Sequence, residues 1–171
     1  MRMARSWLGG GAAVLMGFAA VLTAWSSQAR SGDAASAAAT AAPSIHPFSG
    51  LPVIDLVVTH EHRHHHFRVE VARSQAEQEK GLMFRTTMAP DEGMIFPMPG
   101  GQPASFWMKN TVIPLDIIFI GSDGRISNIA VKAVPYDETP LPSKGPVSGV
   151  LELNGGRAAE LGIGPGDVVK W

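Results

Sequence analysis

The sequence contains no cysteine, which excludes several kinds of stabilisation and chemistry at once. No disulfide can cross-link the chain, no thiolate can act as a nucleophile, and no lipid can be attached to a cysteine. Hydrophobic burial must therefore stabilise the fold, and 171 residues are enough for one domain with its own core.

A strong charge of either sign is also missing. Lys and Arg number 14 against 15 Asp and Glu, and no basic stripe is present that could neutralise phosphates. The chain lacks the G-x-S-x-G nucleophile elbow, the phosphate-binding P-loop and the H-E-x-x-H zinc motif. We therefore expect no nucleic-acid partner. Because these catalytic motifs are absent, they give no indication of an enzymatic activity.

The N-terminus has the pattern of an export signal. Arg2 and Arg5 precede an uncharged stretch from Trp7 to Trp25, and Ser27 and Ala29 are small residues at positions −3 and −1 of a cleavage site. The uncharged stretch is just long enough to span a bilayer, but its glycines lower its hydropathy and favour cleavage over a retained anchor. We expect a periplasmic or otherwise exported protein, which contacts the inner membrane only through this segment if it stays uncleaved.

The chain divides into three parts by composition. Residues 1–29 are the signal peptide or membrane anchor, residues 30–50 form an Ala/Ser-rich tether, and residues 51–171 form a single β domain. The tether has no apolar stripe that would hold a helix against a core, so it is expected to be a flexible linker.

A period of two dominates the domain. Short stretches such as "FRVEVA", "DIIFIG" and "GVLELN" are separated by Gly and Pro and predict about eight strands. Two helical stretches interrupt this pattern: "SQAEQEKGL", which opens with a capping box of Ser74 and Glu77, and "GRAAELG". The fold is therefore predicted to be mainly β, a compact single-domain β sandwich or barrel of about eight short strands with two short helices.

Polar side chains interrupt the apolar stretch "FWMKNTVIPLDIIFI" at residues 106–120. Pro114 cannot donate a ladder hydrogen bond, so we expect a strand, a turn and a new strand. Asn110 and Asp116 would then either tie down their own turn or, together with Trp107, rim a shallow site.

Two charged residues also lie in apolar surroundings. Arg85 follows "GLMF", and Glu152 lies within "VLEL". If the face that carries Glu152 is buried, its carboxylate needs a cation, and we expect Arg85 to pair with Glu152 or with Asp116. The candidate ligand-binding residues are Arg85, Trp107, Asn110, Asp116 and Glu152.

The tract "HEHRHHHF" is a second candidate site. His60, His62, His64 and His66 alternate, so an extended chain would align four imidazoles, which suit zinc, copper or nickel. No cysteine or spaced carboxylate completes the site, and the alternative is a solvated hairpin loop between two strands. We expect no cofactor other than a weakly bound divalent transition metal at these histidines.

The order of these stretches resembles a known family. "FRVEVARSQAEQEKGLMFR", "GMIF", "FWMKNTVIPLDIIFI", "GRISNI" and "VLELNGGRAAELGIGPGD" follow one another as in the domain of unknown function 192 family, whose bacterial and archaeal members are often exported. The resemblance covers about residues 65–171 and implies one compact, mainly β domain with no established activity. It leaves the histidine tract largely outside, so a metal function would be particular to this protein.

The candidate residues favour a binding or accessory module of the cell envelope, for a polar ligand or a protein partner. Trp107 with Asn110 and Asp116 suits a polar ligand that has an apolar face, such as a sugar or a peptide. The first alternative is a hydrolase or lyase on envelope polysaccharide, with Asp116 and Glu152 as a carboxylate pair ~5–10 Å apart across a cleft. The second alternative is a transition-metal-binding protein that uses the histidine tract.

Overall fold

Nine strands and two short helices make up residues 44–171, the part of the chain described by the computed structural model. The strands are β1 (Ser44–Ile45), β2 (Pro52–His60), β3 (Arg63–Val71), β4 (Glu92–Pro97), β5 (Pro103–Phe106), β6 (Leu115–Gly121), β7 (Ile126–Ala133), β8 (Leu141–Asn154) and β9 (Val168–Lys170). The helices are α1 (Gln75–Lys80) and α2 (Arg157–Leu161). The predicted signal and the first part of the predicted tether lie outside the described residues.

The strands form one sheet in the order β1-β2-β3-β4-β8-β6-β7, to which β9 is added beside β2 and β5 beside β8. Only β3 and β4 pair in parallel, because α1 lies in the crossover between them. The mainly β class with two short helices is confirmed. The sheet does not close on itself, although one isolated bridge joins Arg125 to Val168.

Both faces of the central strands are buried, in two separate clusters. On one face, Ile118, Leu151 and Leu153 pack in what we call the first core, together with residues of β2, β3, β9 and α2. On the other face, Ile117 and Val150 pack in the second core, which the segment after α1 and the end of β5 help to cover. A strand buried on both sides has a continuous apolar sequence rather than an alternating one, as "IIFI" within β6 has.

Helix α1 begins and ends where its sequence predicts. The Ser74 hydroxyl accepts a hydrogen bond from the Glu77 amide, and the Glu77 carboxylate accepts one from the Ser74 amide, which completes the capping box. Gly81 ends the helix with a φ of 46°, and a Cβ there would lie 3.4 Å from the Phe96 ring. The backbone conformation, more than the space beside the ring, therefore favours glycine at residue 81.

None of the helices among residues 44–171 is long and apolar enough to cross a membrane.

Candidate functional site

A pocket of about 240 Å³ opens at the edge of the second core, between α1 and the end of β5. Its walls are mostly apolar and aromatic: Leu82, Met83, Phe96, Met98, Phe106 and Trp107. The Phe106 ring packs edge-on against both Phe96 and Phe119, at centroid distances of 5.1 and 6.2 Å. These contacts fix one wall of the pocket to the sheet beneath it.

Glu152 lies at the buried end of this pocket. Its neighbours across the sheet are Met94 on β4 and Ile117 on β6, both fully buried. Glu152 itself is only 5% exposed, and within residues 44–171 no donor hydrogen-bonds to its carboxyl group. Burial raises the pKa of Glu152 to about 8, so the group is mostly an uncharged carboxylic acid at neutral pH.

A glycine on β4 positions the backbone of Glu152. A Cβ at Gly93 would lie 2.5 Å from the carbonyl oxygen of Glu152. The two strands therefore approach closely at this point only because residue 93 has no side chain.

Arg85 pairs with Glu70, so the prediction that it pairs with Glu152 or Asp116 is wrong. Its Nη2 atom lies 2.8 Å from Glu70 Oε1 and 3.1 Å from Oε2, and both residues are buried. The Phe48 ring lies against the guanidinium, with the ring centroid 5.0 Å from Cζ. In the alternation of "FRVEVA", Glu70 lies on one face of β3 and the apolar residues lie on the other. The face that carries Glu70 is nevertheless buried, because the segments around Arg85 and Phe48 cover it.

Asp116 is a structural anchor on the other face of the sheet. It is fully buried, and its carboxylate accepts hydrogen bonds from the backbone amides of Lys132, Gly156 and Ala158 at 2.8–2.9 Å. These bonds join β6 to the end of β7 and to the first turn of α2. The carboxylate pair of the hydrolase hypothesis is not formed, because Asp116 shares its face with Leu153 of the first core while Glu152 faces the pocket.

Trp107 lines the same pocket as Glu152. The strand β5 ends at Phe106 and β6 begins at Leu115, so the predicted strand, turn and strand are confirmed. Trp107 is half-exposed in the turn, and Lys109 Nζ lies 5.1 Å from the centroid of its ring. Among the five candidate residues, the structure brings Trp107 and Glu152 together in one pocket.

Asn110 does not line the pocket but shapes the loop that carries Trp107. Its φ is 53°, in the left-handed region, and its carbonyl accepts a hydrogen bond from the Phe84 amide. Phe84 and Tyr136 also have positive φ, and the Tyr136 amide donates to the Thr111 carbonyl. Backbone strain of this kind persists only where the surrounding structure imposes it, so neighbouring loops hold the Trp107 loop on both sides.

The edge of α1 supplies pocket residues that the sequence did not single out. Lys80 and Glu79 line the mouth, and Gln78 is held by hydrogen bonds to the carbonyls of Ala72 and Pro97. No local pattern distinguishes these residues from an ordinary solvated helix face. Only the packing of α1 over the second core places them at a pocket.

The histidine tract is the tip of the β2–β3 hairpin rather than an extended run. His60 ends β2, His62 lies in the turn, and His64 and His66 lie on β3. His60 Nδ1 is 3.0 Å from Asp167 Oδ1, so this histidine is already bonded. Residues 44–171 contain no group of three or more His, Asp or Glu side chains placed to hold a metal ion.

The comparisons with known proteins agree with the fold. The model of the DUF192 family, described as an uncharacterized ACR, matches residues 56–171. None of the curated proteins is significantly similar to the chain.

Two crystal structures of similar proteins cover most of the chain. A protein of unknown function from Novosphingobium aromaticivorans is 60% identical and has a TM-score of 0.75, with 77% of this chain and 94% of that chain covered. A protein from Sinorhizobium meliloti, described as a candidate transcription regulator, is 42% identical with a TM-score of 0.68, covering 70% of this chain and 94% of its own.

Proposed function

Because this chain belongs to the DUF192 family, which is uncharacterized, we propose from its pocket that it is an exported module that binds a small ligand between Trp107 and Glu152. One observation carries the proposal: a buried carboxyl group that has no hydrogen-bond partner among residues 44–171 faces an open pocket. The Glu152 carboxyl oxygens remain open to the pocket, so a ligand there can take the place of water on them, and one such hydrogen bond contributes about 0.5–1.5 kcal/mol.

The size of the pocket limits the ligand. Sites for drug-sized molecules occupy roughly 300–1,000 Å³, and this pocket has about 240 Å³. It therefore suits a ligand, or a part of one, about as large as one sugar ring or one amino-acid side chain. The half-exposed Trp107 would stack on an apolar face of that ligand.

A binding role fits the pocket better than polysaccharide hydrolysis does. The hydrolase hypothesis needs two carboxyl groups across one cleft, and Asp116 faces the first core instead. Glu152 is the buried carboxyl that lines the pocket.

Binding can be tested with small aromatic and sugar ligands followed by ligand-observed NMR. We expect Trp107→Ala to weaken binding strongly while leaving stability nearly unchanged, because the side chain is half-exposed. Trp171→Ala is the matched control, since Trp171 is also partly exposed but does not line the pocket. Binding that neither Trp107→Ala nor Glu152→Gln alters would contradict the proposed site.

Export rests on the N-terminal pattern and needs its own test. Arg2, Arg5 and the uncharged stretch after them support it. Cell fractionation should find the full chain in the periplasm and a chain without residues 1–29 in the cytoplasm. Equal cytoplasmic retention of both would disprove export.

A further inference from the structure

The pocket changes in chemical character from its mouth to its buried end. Lys80 and Lys109 lie at the mouth, aromatic and aliphatic side chains form the walls, and the Glu152 carboxyl group lies at the end. No salt bridge is formed by either lysine within residues 44–171. Glu79 also lies at the mouth, so the two lysines leave a net positive charge there, and a ligand that reaches Glu152 passes from this charge to apolar walls.

In the described part of the chain, no element beside Glu152 brings a cation to its carboxyl group. Strands β4 and β6 place only Met94 and Ile117 beside it. Glu70 lies on the same face beyond Met94, and it is already paired with Arg85.

The remaining charged groups lie at the mouth of the pocket. Helix α1 contributes Glu79, whose carboxylate accepts a hydrogen bond from Gln75, and Lys80. The turn after β5 contributes Lys109, which lies over the Trp107 ring. An uncharged acid is therefore the stable form of Glu152 in a pocket of this shape.

A carboxylic acid offers an O–H donor beside a carbonyl acceptor. A carboxamide or a ring lactam offers the complementary arrangement, an acceptor oxygen beside an N–H donor, so the two groups can form a pair of hydrogen bonds. A carboxylate on the ligand would form one such bond and place its second oxygen against the carbonyl of Glu152. An amidinium would meet a net positive charge at the mouth, where Lys80 and Lys109 outnumber Glu79, and would find no charge at the end.

We propose that the pocket recognises an uncharged carboxamide or lactam group carried on a flat apolar ring, with the ring against Trp107 and the amide against Glu152. This ligand class rests on the proposed binding function and narrows it. The aromatic wall accounts for the flat ring, and the buried unpaired acid accounts for the amide.

Three probes of nearly equal shape distinguish an amide, an amidinium and a carboxylate as the group that binds Glu152: benzamide, benzamidinium and benzoate. We expect the full chain at pH 6 to bind benzamide at least about tenfold more tightly than either ion, a ratio read from ligand-observed NMR titrations. At pH 9, where Glu152 is largely ionised, benzamide should bind about tenfold more weakly and benzamidinium more tightly. Tighter binding of benzoate or benzamidinium than of benzamide at pH 6 would overturn the proposal.

Glu152→Gln distinguishes the carboxyl group from the rest of the pocket. Glutamine also offers a donor beside an acceptor, so this variant should still bind benzamide, now equally at pH 6 and pH 9. Glu138→Gln, on an exposed residue, is the matched control and should keep the pH dependence of the parent. A pH dependence that persists in Glu152→Gln would show that another group is responsible.

A fourth probe, benzyl alcohol, separates this proposal from the more general one. Suppose that benzyl alcohol binds as tightly as benzamide and that Trp107→Ala weakens its binding. The pocket is then a binding site for another ligand class, and the amide proposal is wrong. If none of the four probes binds, the proposed function fails as well.

Discussion

The carboxyl groups of Asp116 and Glu152 lie on neighbouring strands but on opposite faces of the sheet. Glu152 pairs with Ile117 of the second core, and Asp116 pairs with Leu153 of the first core. Paired residues of adjacent strands share a face, so the two carboxyl groups cannot act on one substrate. Asp116 anchors the fold, and Glu152 faces the pocket.

Asp116→Ala should destabilise the protein by at least about 3 kcal/mol, because three buried or half-buried backbone amides would lose their acceptor. Denaturant unfolding monitored by circular dichroism measures the change. Asp123→Ala is the matched control, since Asp123 accepts one exposed hydrogen bond in a turn, and it should cost about 1 kcal/mol or less. Equal losses in the two variants would show that Asp116 is not an anchor.

Glu152→Gln should remove a pH dependence of stability. The pKa of Glu152 is about 8 in the folded protein against 4.5 for the exposed group, so between these values the unfolded chain has lost a proton that the folded chain keeps. The free energy of unfolding of the parent should therefore fall as pH rises, by up to roughly 5 kcal/mol above pH 8. Unfolding curves at pH 5, 7 and 9 measure the slope.

The variant should match the parent at pH 5 and exceed it in stability at pH 9. Glu138→Gln provides the control, because the exposed Glu138 side chain should leave the slope unchanged. If the free energy of unfolding changes with pH equally in the parent and in Glu152→Gln, the pKa of Glu152 is the same in the folded and unfolded chains.

Arg85→Met should cost about 3–5 kcal/mol, because it leaves the buried Glu70 carboxylate without its cation. The double variant Glu70→Gln with Arg85→Met should recover part of this loss, since no buried charge then remains. Arg73→Met is the control: Arg73 is exposed, and its replacement should change the free energy of unfolding by less than about 0.5 kcal/mol. If the buried and exposed arginines cost the same, the pair contributes nothing to stability.

Zinc should bind only weakly at the histidine tract. The hairpin separates His62 in the turn from His64 on β3, whose Nδ1 atom already lies 3.0 Å from the Thr59 hydroxyl oxygen. Isothermal titration of the protein with zinc should give small heats without a fixed stoichiometry, and a variant with His62→Ala and His64→Ala should behave in the same way. Tight one-to-one binding that this variant loses would establish a metal site.

The sequence alone determined the structural features that depend only on neighbouring residues. The capping box of Ser74 and Glu77 set the start of α1, and Pro114 marked the break before β6, because both act through neighbouring backbone groups. The apolar run "DIIFI" indicated a strand and also explains its burial on both faces. Trp107 and Glu152 also stood out, since each is an unusual residue in its stretch, and both line one pocket.

Tertiary structure alone decided which side chains meet. Alternation assigns residues to two faces of a strand but does not show what covers each face, so Glu70 could not be recognised as the partner of Arg85. The register between β6 and β8 separated Asp116 from Glu152, and the packing of α1 over the second core created the pocket. Contacts between residues far apart in sequence depend on how the whole chain packs, and a pattern of neighbouring residues does not contain that information.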